Sequence, residues 1–375
     1  MEKRPTLGFS PPSLVTRARW LSYLQFVLLP FGAVIAALMV GAFLIALTGT
    51  DPRFAYQKMW EGVARSNYQV GLVLVKATPL MIIGLGLGFV FNTGVFNIGA
   101  EGQLYMGALL GTAIAIQDWR LPAWLHISLS LLGGFVGGGL WGLLPGYLKA
   151  RHNINEVITT ILLNYIAIYI VSYFTHGPLR DNPLAEAALP QTPEVQASSQ
   201  LPLIWPPTRL HAGFLLGLAL ALVLYLVTYR MAFGYKARAV GSSPAAAHYA
   251  GMNTTLIMVI VMVVSGGLAG VAGTVEILGV QHRLRDMFSP GLGYSAIAIA
   301  LMGNNHPLGI ILASVLFGAL QVGANNMQAL AGVPVTIVDV LQATVIFFVA
   351  VSAMVRWRMP LGRLFPGKRE GSRSS

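Results

Sequence analysis

Long apolar runs separated by short polar stretches dominate the chain, and most reach or approach the roughly 20 residues a helix needs to cross a hydrocarbon core of about 30 Å. They predict spans near residues 22–48, 70–91, 100–117, 123–148, 155–175, 212–229, 254–279, 291–303, 307–330 and 334–355. Ten crossings place both termini on one side. The eighth run is too short to span alone, so it is broken or extended by the turn at Ser289 and Pro290. Between the second and third runs, residues 92–103 carry Asn92, Thr93, Asn97, Glu101 and Gln103 together with Gly94, Gly99 and Gly102. In lipid an unwound backbone is tolerated only where it is buried in protein or lines a watery cavity. A tight cytoplasmic turn with glycine and Asn or Glu caps is one reading of this stretch. A discontinuous helix that lines a transport path is the other, and so many polar residues exceed what a turn requires.

Composition fixes the class. With 55% hydrophobic and 10% charged residues and a mean hydropathy of +0.68, the chain has too little polar surface for a soluble globule. It reads as an all-α integral membrane protein. Its 42 glycines suit close helix packing in lipid. The absence of cysteine excludes disulfides, zinc thiolates and iron–sulfur clusters.

The net charge of +11 is distributed as orientation signals rather than as a nucleic-acid stripe. Lys3, Arg4, Arg17, Arg19, Lys149, Arg151, Arg230, Lys236, Arg238, Arg356, Arg358, Arg363, Lys368, Arg369 and Arg373 fall on the side of the termini. Fewer fall opposite: Arg53, Lys58, Arg65, Arg120, Arg180, Arg209, Arg283 and Arg285. By the positive-inside rule both termini are cytoplasmic. Lys76 is placed to snorkel to the outer interface. The domains expected are a cytoplasmic segment at 1–21, a transmembrane domain at 22–355 and a basic cytoplasmic tail at 356–375. An irregular external loop at 176–211 is expected to cap the outer mouth or dock a soluble partner, and the cytoplasmic loop is 230–253. No cleaved signal peptide is evident.

In that cytoplasmic loop Ser243 and Pro244 open a short helix and Gly251 ends it. Ala245, Ala246 and Ala247 would leave a flat face for a partner's groove, with Tyr249 and Met252 as anchors. Ala246, Ala247 and Gly251 resemble the cytoplasmic signature of ABC importer permeases, with Ala245 where the generic signature has Glu. The stretches Asn97 to Gln103, Asn155 to Ile166, Gly293 to Gly303 and Asp339 to Gln342 resemble the hallmark segments of nucleoside-type ABC permeases. This branch belongs to the superfamily of branched-chain amino acid, sugar and nucleoside permeases. The resemblance implies the larger membrane subunit of a prokaryotic inner-membrane importer. Its implied partners are a second permease subunit, a double-domain ABC ATPase that binds ATP and Mg, and an extracytoplasmic substrate-binding lipoprotein. It also implies that residues 243–251 couple to the ATPase.

The residues themselves carry a parallel reading. Glu156, Thr160 and Asn164 share one helix face. The capping-box spacing from Asn153 makes Glu156 a cap, while Thr160 and Asn164 are assigned to the lumen. Thr336, Asp339 and Gln342 repeat the pattern, Asp339 serving either the path or a salt bridge with Arg283 or Arg285. Asn92, Asn97, Glu101, Gln103, Thr160, Asn164, Asp339 and Gln342 are therefore the path candidates. Their neutral polar groups suit an uncharged ligand with donors and acceptors, a nucleoside or a sugar alike. No phosphate-binding loop occurs, Gly84 to Gly88 reads as helix packing, and the seven histidines lack metal-ligand spacing. Energy must then come from another subunit or an ion gradient. The second-to-fifth and seventh-to-tenth spans are compatible with an inverted repeat of broken helices.

Overall fold

The computed structural model describes residue 32, residues 35–181 and 189–334, and positions 336, 337, 340, 343–345, 347, 348 and 351. Residues 53–332 fall in one compact unit, residues 182–188 not being described; the described residues up to Pro52 and from Val333 form another. The second of these contains the short apolar helix α1 (Ile35–Leu47). The larger unit contains α2 (Pro52–Ala64), α3 (Asn67–Phe91), α4 (Ala100–Ala115), α5 (Ala123–His152), α6 (Glu156–His176) and α7 (Gly213–Arg230). It continues with α8 (Ala232–Ser242), α9 (Pro244–Tyr249), α10 (Thr254–Glu276), α11 (Leu292–Met302) and α12 (Pro307–Ala331). Isolated bridges are the sole β pairing among the described residues.

Six of these helices are long and apolar enough to cross a membrane: α3, α5, α6, α7, α12, and α10 with the π turn that carries it to Gln281. The described part of the expected span at 22–48 is mostly α1, and the expected span at 334–355 is described only at scattered positions. The expected spans at 100–117 and 291–303 are the short helices α4 and α11. Their brevity has a physical cause, because each follows a stretch of backbone that is not helical, at residues 92–99 and 282–291.

The core is built around α3, whose residues from Ala77 to Val90 are all buried. Ser66 starts it by accepting from the Gln69 amide, and the helix packs against α12, α10, α11 and α7. A helix apolar on all sides belongs in such a centre. The second seam joins α4, α5 and α10 through glycines. A Cβ on Gly107 would lie 2.0 Å from the Cα of Gly270, and one on Gly138 would lie 2.2 Å from the Gly266 carbonyl oxygen. Backbones this close exclude any side chain and replace hydrophobic drive with dispersion contact. Across the seam Thr274 donates to the Gly107 carbonyl at 3.2 Å.

Two local expectations change. Asn153 does not cap α6; it ends α5 in the left-handed conformation at φ 52°. Asn155 caps α6 instead, accepting from the Val157 amide at 2.9 Å, and Glu156 is free to pair with Lys149 at 2.9 Å. The other change is α2, a short helix that a search for long apolar runs passes over because Lys58 and Glu61 interrupt it. It lies along α12, where Asn326 donates to the Lys58 carbonyl.

The loop from α6 to α7 is irregular but strapped down in its described part. The amides of Thr192, Val195 and Leu201 donate to the carbonyls of Leu284, His282 and Leu278, and the Gln196 amide donates to Ala115. It therefore binds the ends of α4 and α10 and the nonhelical lead into α11.

Candidate functional site

The two short helices begin against one another. A Cβ on Gly293 would stand 2.4 Å from the Glu101 nitrogen, so the first turns of α4 and α11 touch through backbone. The Glu101 carboxylate, 2% exposed, accepts from the Gly293 amide at 2.6 Å. Ser289 accepts from the Leu292 amide at 3.2 Å. The free amides of a helix N-terminus attract negative charge, and here the protein's own groups occupy them. Tyr105 holds the lead into α11, its hydroxyl donating to the Ser289 carbonyl and accepting from the Ser289 amide, both at 3.3 Å.

The start of α4 is satisfied by amide side chains. Asn164 of α6 accepts from the Gly102 amide at 2.8 Å and donates to the Ile98 carbonyl at 3.0 Å and the Tyr294 hydroxyl at 3.1 Å. Asn97 and Gln103 form a reciprocal pair at 2.8 and 3.1 Å. Asn97 also donates to Ser265 of α10 at 3.0 Å and accepts from the Gly99 amide at 3.0 Å. Thr160 is buried and donates to the Glu156 carbonyl at 2.6 Å. In an interior of low dielectric such a network is strong when complete, and a group left unmatched is costly.

Of the residues expected from sequence, Asn97, Glu101, Gln103, Thr160 and Asn164 come together at this junction and are fully buried or nearly so. Asn92 stands apart at the end of α3, donating to the Asn305 carbonyl at 3.5 Å. Asp339 and Gln342 lie outside the described residues. Arg283, considered as a partner for Asp339, is paired with Asp181 at 2.5 Å and Glu194 at 3.4 Å. Ser265, Ser289, Tyr105 and Tyr294 belong to the site and were not foreseen, because their partners are distant in the chain. Tyr294 did lie within a segment singled out by resemblance. Beside the lead into α11 is a cavity of about 330 Å³ whose wall includes Lys76, Glu276, Gln281 and Gln321. Gln281 donates to Glu276 there at 3.3 Å.

The nonhelical stretch also meets the loop expected to couple. A Cβ on Gly241 of α8 would lie 2.3 Å from the Asn92 carbonyl oxygen and 2.9 Å from Thr93 backbone. Gly94, at φ +73°, faces Gly241 from the other side. Next in the chain, Ser243 caps α9 by accepting from the Ala246 amide at 3.3 Å, Pro244 is its first residue, and Gly251 follows it at φ +79°. Ala247 is buried, whereas Ala245, Ala246 and Tyr249 are exposed, Tyr249 at 92%. The exposed face of α9 is thus the one carrying Tyr249.

At the other end of the larger unit, His211 is buried beside the start of α7 and accepts from the Gly213 amide at 3.2 Å. Burial, with a smaller contribution from His282, lowers its pKa from 6.5 to about 4.

A family model described as branched-chain amino acid transport system / permease component matches residues 70–350. A guanosine ABC transporter permease protein of Bacillus subtilis is 36% identical over 340 residues, covering 90% of this chain and 96% of that protein. A glucose ABC transporter permease protein of Haloferax volcanii is 36% identical over 343 residues, 89% of this chain and 88% of its own. A nucleoside ABC transporter permease protein of Lactococcus lactis is 31% identical over 340 residues, 89% of this chain and 93% of its own. The Bacillus and Lactococcus species each have a second, more distant permease relative. No solved structure matches the chain significantly.

Proposed function

The chain belongs to the family of branched-chain amino acid transport system permease components, and on that premise we propose that it is the membrane subunit through which an ABC importer moves nucleosides. It is a multi-pass membrane protein, and the pairing of relatives in two bacteria suggests a second permease subunit beside it. ATP and Mg are assigned to a separate ATPase, and substrate delivery to an extracytoplasmic lipoprotein. We place the chain in the prokaryotic inner membrane with ten crossings and both termini inside.

The observation that carries the substrate class is the filling of the two helix starts. A transporter of carboxylates or phosphates can use the amides of half-helix N-termini to hold its anion. Here Glu101, Ser289, Asn97 and Asn164 already accept from those amides. The protein itself thus supplies the negative charge at these helix starts, so a solute without an anionic group, a nucleoside or a sugar, suits the junction better than an amino acid. The guanosine and nucleoside relatives favour the nucleoside. The glucose permease relative, at the same 36% identity as the guanosine one, keeps a sugar as the second reading.

The polar residues have separate tasks in this proposal. Asn97, Gln103, Thr160 and Asn164 fix the starts of the half-helices, and Glu101 ties one to the other. Asn92 and Gly94, touching Gly241, receive motion from α8 and α9 when the ATPase engages Tyr249. Asp339 and Gln342 are proposed to contribute from the last span. The test is uptake of labelled guanosine, glucose and leucine by the assembled importer. Guanosine uptake is expected; glucose alone would favour the second reading, and leucine uptake would defeat the argument from the filled helix starts.

A further inference from the structure

The cavity beside the lead into α11 is walled by polar groups that the junction of half-helices leaves unused. Its volume of about 330 Å³ lies at the lower end of the range for small-molecule sites. Lys76 of α3, Glu276 at the end of α10, Gln281 of the π turn and Gln321 of α12 line it, together with Phe288 from the nonhelical lead. Lys76 stands about 14 Å along α3, a helix roughly 37 Å long. Glu276 lies within the span that α10 and its π turn make together. Ionisable groups inside a span are costly and mark either a paired site or a solute path.

These two are not paired. Among the described residues Lys76 and Gln321 make no hydrogen bond or ion pair, and Glu276 has no basic partner. The Glu276 side chain, on a residue 6% exposed, accepts from Gln281 at 3.3 Å on one carboxylate oxygen. A second, independent feature is the π turn itself. Its wider repeat sets Gln281 over Glu276, and such turns frequently occur at functional sites. Gln281 also donates to the Phe288 carbonyl at 3.4 Å. The Phe288 ring in turn lies 4.7 Å from that of Tyr105, whose hydroxyl holds Ser289. The wall is therefore fixed before a solute arrives, which lowers the cost of binding.

An ammonium only donates and a carboxylate only accepts. A base with a lactam edge offers a carbonyl beside an N–H, as guanine and uracil do, and so matches one group of each kind. Adenine reverses that order: its amino group would face the ammonium and its ring nitrogen the carboxylate. We propose that this cavity is the solute site of the chain, with Lys76 donating to the carbonyl of an oxo base and Glu276 accepting from the neighbouring N–H. Phe288 offers the base an apolar surface, and Gln321 is left for the ribose hydroxyls. The inference rests on the nucleoside reading above and names the class of base within it. An amino acid would meet the same two charges with its carboxylate and ammonium, so leucine is a necessary probe.

The test uses the full importer, assembled with its second permease, ATPase and binding protein, with labelled guanosine, uridine, adenosine, glucose and leucine. The wild type should take up guanosine and uridine at least about fivefold faster than adenosine, given the discrimination of a hydrogen-bonded base edge. Glu276→Gln, whose amide can donate to adenine, should narrow that ratio at least about fivefold with assembly and ATP hydrolysis unchanged. Lys76→Met should slow both oxo nucleosides at least about fivefold, whereas Lys76→Arg keeps most of the rate; this pair decides if Glu276→Gln does not assemble. Adenosine moved as fast as guanosine by the wild type would overturn the lactam assignment. A ratio unchanged by Glu276→Gln would give the choice of base to the binding protein, and wild-type rates in Lys76→Met would empty the cavity of its role; either overturns the site and leaves the nucleoside reading standing. An importer that moves leucine or glucose and no nucleoside would remove the nucleoside reading, and the base assignment with it.

Discussion

The reciprocal pair of Asn97 and Gln103 makes a double-mutant cycle informative. Replacing Asn97 by Ala leaves the Gln103 amide without either of its Asn97 contacts and removes the acceptor for the Gly99 amide and a donor to Ser265. An unsatisfied buried polar group typically costs about 1 to 3 kcal/mol. Side-chain hydrogen bonds inside membrane proteins average nearer about 0.6 kcal/mol, because the unfolded state also finds partners. Weighing the two, each single alanine should lower stability by about 2 to 3 kcal/mol. Removing both partners together deletes the stranded groups, so the double variant should cost less than the sum by about 1 to 2 kcal/mol. Denaturant unfolding of the purified chain in detergent micelles reads all four corners of the cycle. Additive losses within about 0.5 kcal/mol would refute the pairing. Unchanged stability combined with weakened nucleoside uptake would show instead that these amides serve the ligand.

Three further perturbations follow from the geometry. His211 stays neutral in the folded state to about pH 4, whereas the unfolded state takes up its proton near 6.5, so stability should fall by about 3 kcal/mol as pH drops through that window; His211→Asn should flatten the pH dependence of the thermal midpoint, and an unchanged slope would discard this assignment. Gly241→Val sets a side chain where a Cβ already lies 2.3 Å from the Asn92 carbonyl oxygen. Overpacking of this kind costs about 1 to 3 kcal/mol, and the assembled variant should hydrolyse ATP with uptake reduced about tenfold or more; wild-type uptake would separate α8 from the transport cycle. Tyr249→Ala removes the most exposed anchor on α9 and should weaken co-purification of the ATPase about tenfold or more, as loss of a contact hot spot does, while the permease remains folded; full retention of the ATPase would move the docking face elsewhere.

What could be read in the sequence differs between the frame and the site. Apolar runs located the six long helices because hydrophobic length is a local property. Ser243, Pro244 and Gly251 announced α9 because cap, first-turn proline and left-handed glycine act within one short segment. The stretch from Asn92 to Gln103 was equally visible as an interruption. Its internal bonding was not, since Asn97 reaches Ser265 on α10 and the Gly102 amide reaches Asn164 on α6. Polar groups that looked free to face a solute are matched to one another by the tertiary fold. The capping box failed for a related reason, because Asn153 was already committed to ending α5. Ser289 and Tyr294 acquire meaning only when α11 is seen to start against α4.

The sequence carries no Gly-x-x-x-x-Gly-Lys-Ser/Thr motif, and α8, which leads into the proposed handle for an ATPase, touches the stretch that precedes α4 through Gly241. The most direct measurement is therefore labelled guanosine uptake into proteoliposomes carrying the complete importer, with ATP present and the proton and sodium gradients collapsed. Uptake that persists, and that stops when ATP or the ATPase subunit is omitted, is the predicted result. Uptake by this chain alone, driven by an ion gradient and indifferent to ATP, would contradict the account.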